Sequence, residues 1–170
     1  LMALGAANDS SLAYEMGRVI ATEARKIGIY QNYAPVVDIN NNPENPIINT
    51  RSIGEDRIMV TRLAGALVRG MQDGKLIATL KHFPGHGNTS VDSHNETAII
   101  NIDRKSFEQN ELYPFKNLID QGVISVMVGH IRVPNVISDD LPGTLSSETV
   151  SRLLQTDLGF TGLAVTDAMS

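Results

Sequence analysis

The 170-residue sequence contains no cysteine and no tryptophan. Without cysteine it can form neither a disulfide nor a thiolate metal site, although this absence does not assign a compartment. It has no apolar run approaching the roughly 20 residues of a membrane-spanning helix, and no run of lysine and arginine. Together with a formal net charge of −5, these absences argue against a nucleic-acid partner and a membrane span, and favour a neutral or small polar ligand.

The composition that remains is that of a globular protein. Hydrophobic residues make up 42% of the chain, which is enough for one domain with a buried core. The first residues, Leu1, Met2 and Ala3, do not open a basic segment followed by an apolar stretch. We therefore see no signal peptide in the sequence.

Helix and strand patterns alternate along the chain. Apolar residues at helical spacing, with capping residues before them, predict four helices that begin near Asp9, Asp56, Asp103 or Ser106, and Ser146. Pro114 is expected to kink the third helix or to start a second piece of it. Each helix precedes an apolar segment that predicts a strand; these segments are Ile29–Ile39, Leu76–Leu80, Val123–Val128 and Leu163–Val165. Such repeats are typical of a parallel sheet.

Ionisable residues stand at the carboxyl end of each predicted strand. They are Asp38, Lys81 with His82, His130, and Asp167. The carboxyl ends of the strands are where (β/α)8 barrel enzymes place their active sites. A doubly wound open sheet would produce the same local pattern, so the sequence pattern alone leaves both α/β architectures open.

The segment Lys81–His94 holds three of the four histidines. Pro84 and the glycines around it prevent a helix and favour a shaped turn. Asp92 stands two residues before His94, close enough in an irregular loop to accept a hydrogen bond from its ring. Such a pair can transfer protons.

Two other interpretations of this segment remain. A single histidine in a loop is usually solvated or structural. The segment could also bind a metal through His82, His86, Asp92 and His94, although their spacing matches no His-x-x-x-His helix face. The Gly85-x-Gly87 pair is weak evidence for a phosphate-binding loop, because the further glycine and lysine of that motif are missing.

The motif Lys-His-Phe-Pro-Gly-His-Gly at 81–87, followed by Asp-Ser-His at 92–94, resembles the β-N-acetylglucosaminidase branch of glycoside hydrolase family 3. Three further stretches agree with the resemblance, namely Pro35–Asn40, Arg51–Gly54 and Val165–Met169. The resemblance implies an α/β fold, a partial (β/α)8 TIM-type barrel of about four units. Since a full barrel needs about 250 residues, we expect residues 1–170 to be a single domain, an internal part of the family's N-terminal catalytic barrel.

The resemblance also implies roles for individual residues. Asp167 matches the nucleophile that forms a covalent glycosyl-enzyme, His94 matches the general acid/base, and Asp92 matches its partner. A position that caps a following helix would be the ordinary alternative for Asp167. The residues that we assign to substrate binding are Arg51, Lys81, His82 and His130, and salt bridges at the barrel mouth are the alternative for the charged ones. His130 also suits a place behind the substrate-binding residues, as do His86 and Asp38.

The implied function is that of a retaining exo-β-N-acetylglucosaminidase. Its substrate would be a carbohydrate ending in β-linked N-acetylglucosamine, such as a cell-wall muropeptide, and we expect no cofactor and no catalytic metal. A phosphorylase on the same scaffold, a metal-dependent hydrolase and a non-catalytic sugar-binding module are the alternatives. The run Pro35 to Arg51 is most similar to secreted Gram-positive members, which favours the cell wall over the cytoplasm.

Overall fold

The computed structural model describes residues 1–89 and 98–169. The four predicted helix-then-strand units occur in the predicted order, with further short elements between them. The helices are α1 Met2–Ala7, α2 Ser10–Lys26, α3 Arg57–Asp73, α4 Arg104–Gln109 and α5 Leu112–Asp120, with a π-helix at Glu148–Asp157 and 3-10 turns at Asn49–Arg51 and Gly143–Leu145. The strands are β1 Gln31–Asn32, β2 Ile77–Phe83, β3 Ala98–Ile99, β4 Ser125–Val128, β5 Ile131–Arg132 and β6 Leu163–Thr166.

The main sheet contains β1, β2, β4 and β6 in that order, and every neighbouring pair is parallel. The strand order follows the chain order with no reversal, whereas a doubly wound sheet reverses its order at a switch point. Helices α2, α3 and α5 pack against one another in succession, as they do around a barrel. The structure therefore confirms the predicted partial (β/α)8 barrel. A separate parallel pair, β3 with β5, was not predicted.

Aspartates begin three of the helices, as their positions in the sequence predict. Asp9 accepts hydrogen bonds from the backbone N–H groups of Ser11 and Leu12. Asp56 and Asp103 cap α3 and α4 in the same manner. The third predicted helix forms as two pieces, α4 and α5, and Pro114 lies in the first turn of the second piece, where a missing N–H does least harm.

Helices α2 and α3 cross at very short distance. A Cβ atom added to Gly70 would lie 2.1 Å from the carbonyl oxygen of Tyr14, and one added to Gly17 would lie 2.4 Å from that of Leu67. Small residues therefore form the buried side of α2 (Ala13, Gly17 and Ala21). The larger apolar residues that reveal this helix in the sequence, such as Leu12, are exposed instead.

The first strand of the sheet is much shorter than the predicted segment Ile29–Ile39. Only Gln31 and Asn32 form a ladder, and Val36 adds an isolated bridge to Lys81. Pro35 interrupts the ladder because it has no N–H to donate, although its carbonyl accepts from the N–H of Lys81.

The core lies between the sheet and the helices. Phe83 at the end of β2 packs edge-to-face on Phe115 of α5, with ring centroids 5.3 Å apart, and both side chains are fully buried. Within residues 1–89 and 98–169, no helix is both long enough and apolar enough to cross a bilayer.

We predict that Gly70→Ala destabilises the protein although alanine is the better helix former by about 1 kcal/mol. The added methyl group meets backbone of α2, which cannot move without separating the helices, and overpacking of this kind costs about 1–3 kcal/mol. The measurement is the free energy of unfolding by chemical denaturation. Gly65→Ala in the same helix is the matched control, because its Cβ would meet the ends of the Gln121 and Leu118 side chains. Equal stability of the two variants would contradict the proposed close crossing.

Candidate active site

The predicted site residues lie at one edge of the sheet. Lys81 and His82 are near the end of β2, His130 follows β4, and Asp167 follows β6. Asp38 reaches the same edge after the bridge between Val36 and Lys81. Because the strands are parallel, their carboxyl ends meet here, as expected for a barrel active site.

Asp38 is the best-connected carboxylate of this edge. It is fully buried and accepts hydrogen bonds from the backbone N–H of His82 at 3.1 Å, the backbone N–H of His86 at 2.8 Å and the ring Nδ1 of His82 at 2.8 Å. Burial alone would raise the pKa of Asp38, but its interactions with His82 and His86 hold that pKa below its usual value. The sequence placed Asp38 behind the substrate-binding residues, and these contacts agree with that position.

The contacts of His82 define its tautomer. The Nδ1 atom must carry a hydrogen to bond to the Asp38 carboxylate, and Nε2 lies 3.3 Å from the Nη2 atom of Arg51. A guanidinium group can only donate, so Nε2 accepts and the ring is neutral in this arrangement. Arg51 is held in turn by the carbonyl oxygen of Ile47. Asp38, His82 and Arg51 therefore form one hydrogen-bonded chain that ends in a cation.

Lys81 and Arg51 line a pocket of about 250 Å³ together with Tyr33, Ala34 and Val36. Burial lowers the pKa of Lys81, the Arg51 charge adds to the decrease, and the Asp167 and Asp38 charges oppose it. Two cationic side chains, Arg51 and Lys81, and the ring of Tyr33 therefore line one pocket.

The loop after β2 is fixed by buried hydrogen bonds. The side-chain amide of Asn45 donates to the carbonyl oxygens of His86 and Gly87, and its oxygen accepts from the N–H groups of Ile47 and Ile48. A Cβ atom on Gly87 would lie 1.7 Å from the carbonyl oxygen of Ile39, so glycine is required for the loop to come this close.

His86 is buried and bonds through Nδ1 to the hydroxyl group of Thr89 at 2.7 Å. Burial lowers the pKa of His86, and the charge of Asp38 partly opposes this effect. Its ring packs edge-on against that of His82, with centroids 5.8 Å apart. These contacts tie the His86 ring to Thr89 and to the ring of His82.

Glu111 lies beneath the same loop and was not predicted as a site residue. Its Oε1 atom accepts from the amide of Asn41 at 3.2 Å, and its Oε2 atom is buried with no hydrogen-bond partner among the described residues. Burial raises the pKa of Glu111 to about 7; the Asn41 hydrogen bond opposes the rise and the Asp38 charge adds to it. A Cβ atom on Gly85 would lie 2.8 Å from Oε2, so the loop rests directly on this carboxyl group.

Asp167 is 9% exposed at the end of β6. Its backbone N–H continues the sheet by donating to the carbonyl oxygen of Val128, and its Oδ1 atom accepts from the N–H of Ala168 at 2.9 Å. The Oδ2 atom has no hydrogen-bond partner in the part of the chain that the structure describes. The carboxylate is therefore oriented through Oδ1, while Oδ2 is buried without a partner among the described residues.

Both ring nitrogens of His130 are engaged. Nδ1 lies 2.8 Å from the hydroxyl oxygen of Thr144, and Nε2 lies 2.7 Å from the carbonyl oxygen of Ala168. These contacts place the His130 ring between the turn Gly143–Leu145 and the segment that follows Asp167.

The predicted pair Asp92 and His94 lies outside the described residues. Two of the four candidate metal ligands are therefore outside as well, and within 1–89 and 98–169 no group of three histidine and acidic side chains is arranged to hold a metal ion. His82, a third candidate, uses its ring nitrogens on Asp38 and Arg51.

Sequence reasoning missed Asn45, Glu111 and Thr144. Glu111 had a signal, since it precedes Phe115 and Leu118 by four and seven residues and so belongs to the apolar face of the helix. Burying a carboxylate on such a face costs free energy, so a glutamate at this position indicates a specific role. Asn45 and Thr144 lie in polar loop segments and had no such signal.

The fold and the site together are those of a (β/α)8 barrel enzyme. The model of the N-terminal domain of glycosyl hydrolase family 3 matches residues 1–170. The beta-hexosaminidase A of Pseudoalteromonas piscicida is 36% identical over 92% of this chain. A family 3 β-N-acetylglucosaminidase from Paenibacillus sp. str. FPU-7 superposes with a TM-score of 0.97 over 99% of the chain, at 47% identity. The beta-glucoside phosphorylase BglX superposes with a TM-score of 0.95 over 98% of the chain, at 35% identity.

The chain belongs to glycoside hydrolase family 3, as its motifs indicated. It spans 28% of the Pseudoalteromonas protein and 32% of each of the two solved chains. The chain therefore corresponds to one portion of each of those longer proteins.

We predict that Glu111 makes the stability of the protein depend on pH. Its folded-state pKa of about 7 exceeds the ordinary value of 4.5. The stability that this difference gives the folded state is therefore fully present below pH 4.5 and is lost as the pH rises through 7. The loss amounts to roughly 3 kcal/mol at most. The measurement is the free energy of unfolding by denaturant for the wild type and Glu111→Gln across this range. As the pH rises, the free energy of unfolding of the wild type should fall relative to that of the variant.

Glu55→Gln, which removes an exposed carboxylate, is the matched control for that experiment. Parallel stability curves for the wild type and Glu111→Gln between pH 4.5 and 7 would show that Glu111 does not titrate in this range.

Proposed function

We propose that the protein carrying this chain is a retaining β-N-acetylglucosaminidase that forms a covalent intermediate on Asp167. The observation that carries the proposal is the state of the Asp167 carboxylate, buried at the end of β6 with Oδ1 held by Ala168 and Oδ2 without a partner among the described residues. Retaining glycosidases need a carboxylate that attacks the anomeric carbon from a fixed direction. The family membership and the β-N-acetylglucosaminidase among the similar structures support the same choice.

A helix cap stays the alternative role for Asp167. Its Oδ1 atom bonds to the adjacent N–H of Ala168, whereas a capping side chain bonds two or three residues further on, and Ser170, the second of those positions, lies outside the described residues.

Substrate binding is assigned to Arg51, Lys81 and His82. Arg51 and Lys81 line the pocket and can donate to sugar hydroxyl groups. The neutral ring of His82 is held by Asp38 and so presents a fixed Nε2 edge toward Arg51. His130 is not assigned to this group, because its ring nitrogens are bonded to Thr144 and to Ala168, which follows Asp167. The ring of His82, in contrast, is bonded to Arg51, which lines the pocket.

The general acid/base is assigned to His94 with Asp92 as its partner, on the strength of the family motif. An imidazole beside a carboxylate can protonate the leaving oxygen in the first step and deprotonate water in the second. We propose glycans ending in β-linked N-acetylglucosamine, including cell-wall muropeptides, as the substrate class.

Phosphorolysis is the second candidate, and the similarity to the beta-glucoside phosphorylase BglX favours it. A neutral histidine acid/base does not repel phosphate as a second carboxylate would. Turnover of an N-acetylglucosaminide by the full-length protein, measured with and without inorganic phosphate, separates the two reactions. Free N-acetylglucosamine at equal rates in both samples indicates a hydrolase, and a sugar phosphate that forms only with phosphate indicates a phosphorylase.

We predict that Asp167→Ala in the full-length protein lowers kcat/KM by roughly 10⁴-fold or more, because the covalent intermediate cannot form. Mass spectrometry after reaction with a slow fluorinated glycoside should place the label on Asp167 of the wild type. Asp157→Ala, which removes an exposed carboxylate just before β6, is the matched control. A label on another residue would disprove the assignment, and activity with inversion and no label would disprove the retaining mechanism.

A further inference from the structure

The segment that follows β6 is hydrogen bonded to the neighbouring strand, β4. The N–H of Asp167 donates to the carbonyl oxygen of Val128 at 2.9 Å, so the ends of β4 and β6 lie side by side. His130, two residues beyond Val128, lies beside Ala168 for this reason. The two residues follow different strands, β4 and β6, and the contact between them is tertiary.

The hydrogen bond between His130 and Ala168 has a fixed direction. The carbonyl oxygen of Ala168 can only accept, so the Nε2 atom of His130, 2.7 Å away, carries a hydrogen. The Nδ1 atom lies 2.8 Å from the hydroxyl oxygen of Thr144. The orientation of the ring is therefore set at both nitrogens, and the partner of Nδ1 comes from a third part of the chain.

Thr144 is itself well placed to orient that ring. It lies in the 3-10 turn Gly143–Leu145, and a Cβ atom on Gly143 would lie 2.9 Å from the carbonyl oxygen of Gly129 and 3.2 Å from that of Ile131. The turn thus rests directly on the backbone that flanks His130. Hydrogen bonds from the N–H of Leu145 to Pro142 and from that of Ser146 to Gly143 close the turn.

Ala168 connects this arrangement to the nucleophile. Its carbonyl oxygen accepts from His130, and its N–H donates to the Oδ1 atom of Asp167 at 2.9 Å. The two bonds engage the backbone of Ala168 on the two sides of its Cα atom. The bond to Oδ1 determines which carboxylate oxygen stays without a partner among the described residues, and that oxygen is Oδ2.

We propose that His130 and Thr144 are positioning residues for the Asp167 nucleophile, acting through Ala168, and that His130 is not a sugar contact. The inference rests on the proposed function of Asp167. The arrangement aims one carboxylate oxygen without touching the substrate, so it affects the rate of attack and leaves binding unchanged. Misplacement of a reacting group by a fraction of an ångström is enough to slow a reaction substantially.

The test uses the full-length protein and the Thr144→Val variant, which keeps the shape of the side chain and removes its hydroxyl group. A slow fluorinated glycoside reports the first step as the rate at which label appears on Asp167. We expect Thr144→Val to lower this rate by roughly tenfold, the equivalent of one lost hydrogen bond, with KM for a natural substrate changed less than about twofold. Thr144→Ser should restore the rate, because it returns the hydroxyl group.

His130→Ala is the second variant, with an expected decrease of roughly 100-fold in the labelling rate. Labelling of Thr144→Val at the wild-type rate would overturn the inference, and so would a raised KM with an unchanged rate, which marks a substrate contact. A wild type that carries no label on Asp167 would overturn the proposed function and this inference together. A labelled wild type with an equally fast Thr144→Val variant would overturn the inference alone.

Discussion

The buried carboxylate of Asp38 is the interaction on which the arrangement of the site depends. It binds backbone N–H groups of His82 and His86 together with the ring of His82, and so holds the end of β2 and the following loop to the short first strand. Removing a partner from a buried, charged hydrogen-bond network leaves unsatisfied groups that cost several kcal/mol. The orientation of His82 toward Arg51 follows from this one side chain, and the loop is held by Asp38 together with Asn45.

Three buried or nearly buried carboxyl groups at the site differ in hydrogen bonding and in position. Asp38 receives several N–H donors and is held charged, so it serves structure. Glu111 and Asp167 each have one oxygen held, by Asn41 and Ala168, and the other without a partner among the described residues. Glu111 lies beneath the loop after β2, where burial raises its pKa, whereas Asp167 follows β6 at the carboxyl edge of the sheet. Position at this edge, and not hydrogen bonding alone, therefore distinguishes the proposed nucleophile.

The sequence was informative where chemistry and strand ends coincide. Asp38, Lys81, His82, His130 and Asp167 each follow an apolar segment, and the structure brings them to one edge of a parallel sheet. Contacts between segments that are distant in the sequence leave no such pattern. Three examples are the crossing of α2 and α3 at Gly17 and Gly70, the hydrogen bonds from Asn45 to the loop after β2, and the bond between Thr144 and His130. The length of the first strand was overestimated because apolar content outweighed the missing N–H of Pro35.

The most direct test of this account is the position of the proton on His82, observed by NMR of imidazole nitrogens in protein labelled with ¹⁵N-histidine, with His82→Asn used to assign the signal. The account predicts that the neutral ring carries its proton on Nδ1, bonded to Asp38, while Nε2 is unprotonated and accepts from Arg51. A neutral His82 ring with its proton on Nε2 would contradict the account, because Asp38 would then not orient the ring and the chain from Asp38 to Arg51 would not exist.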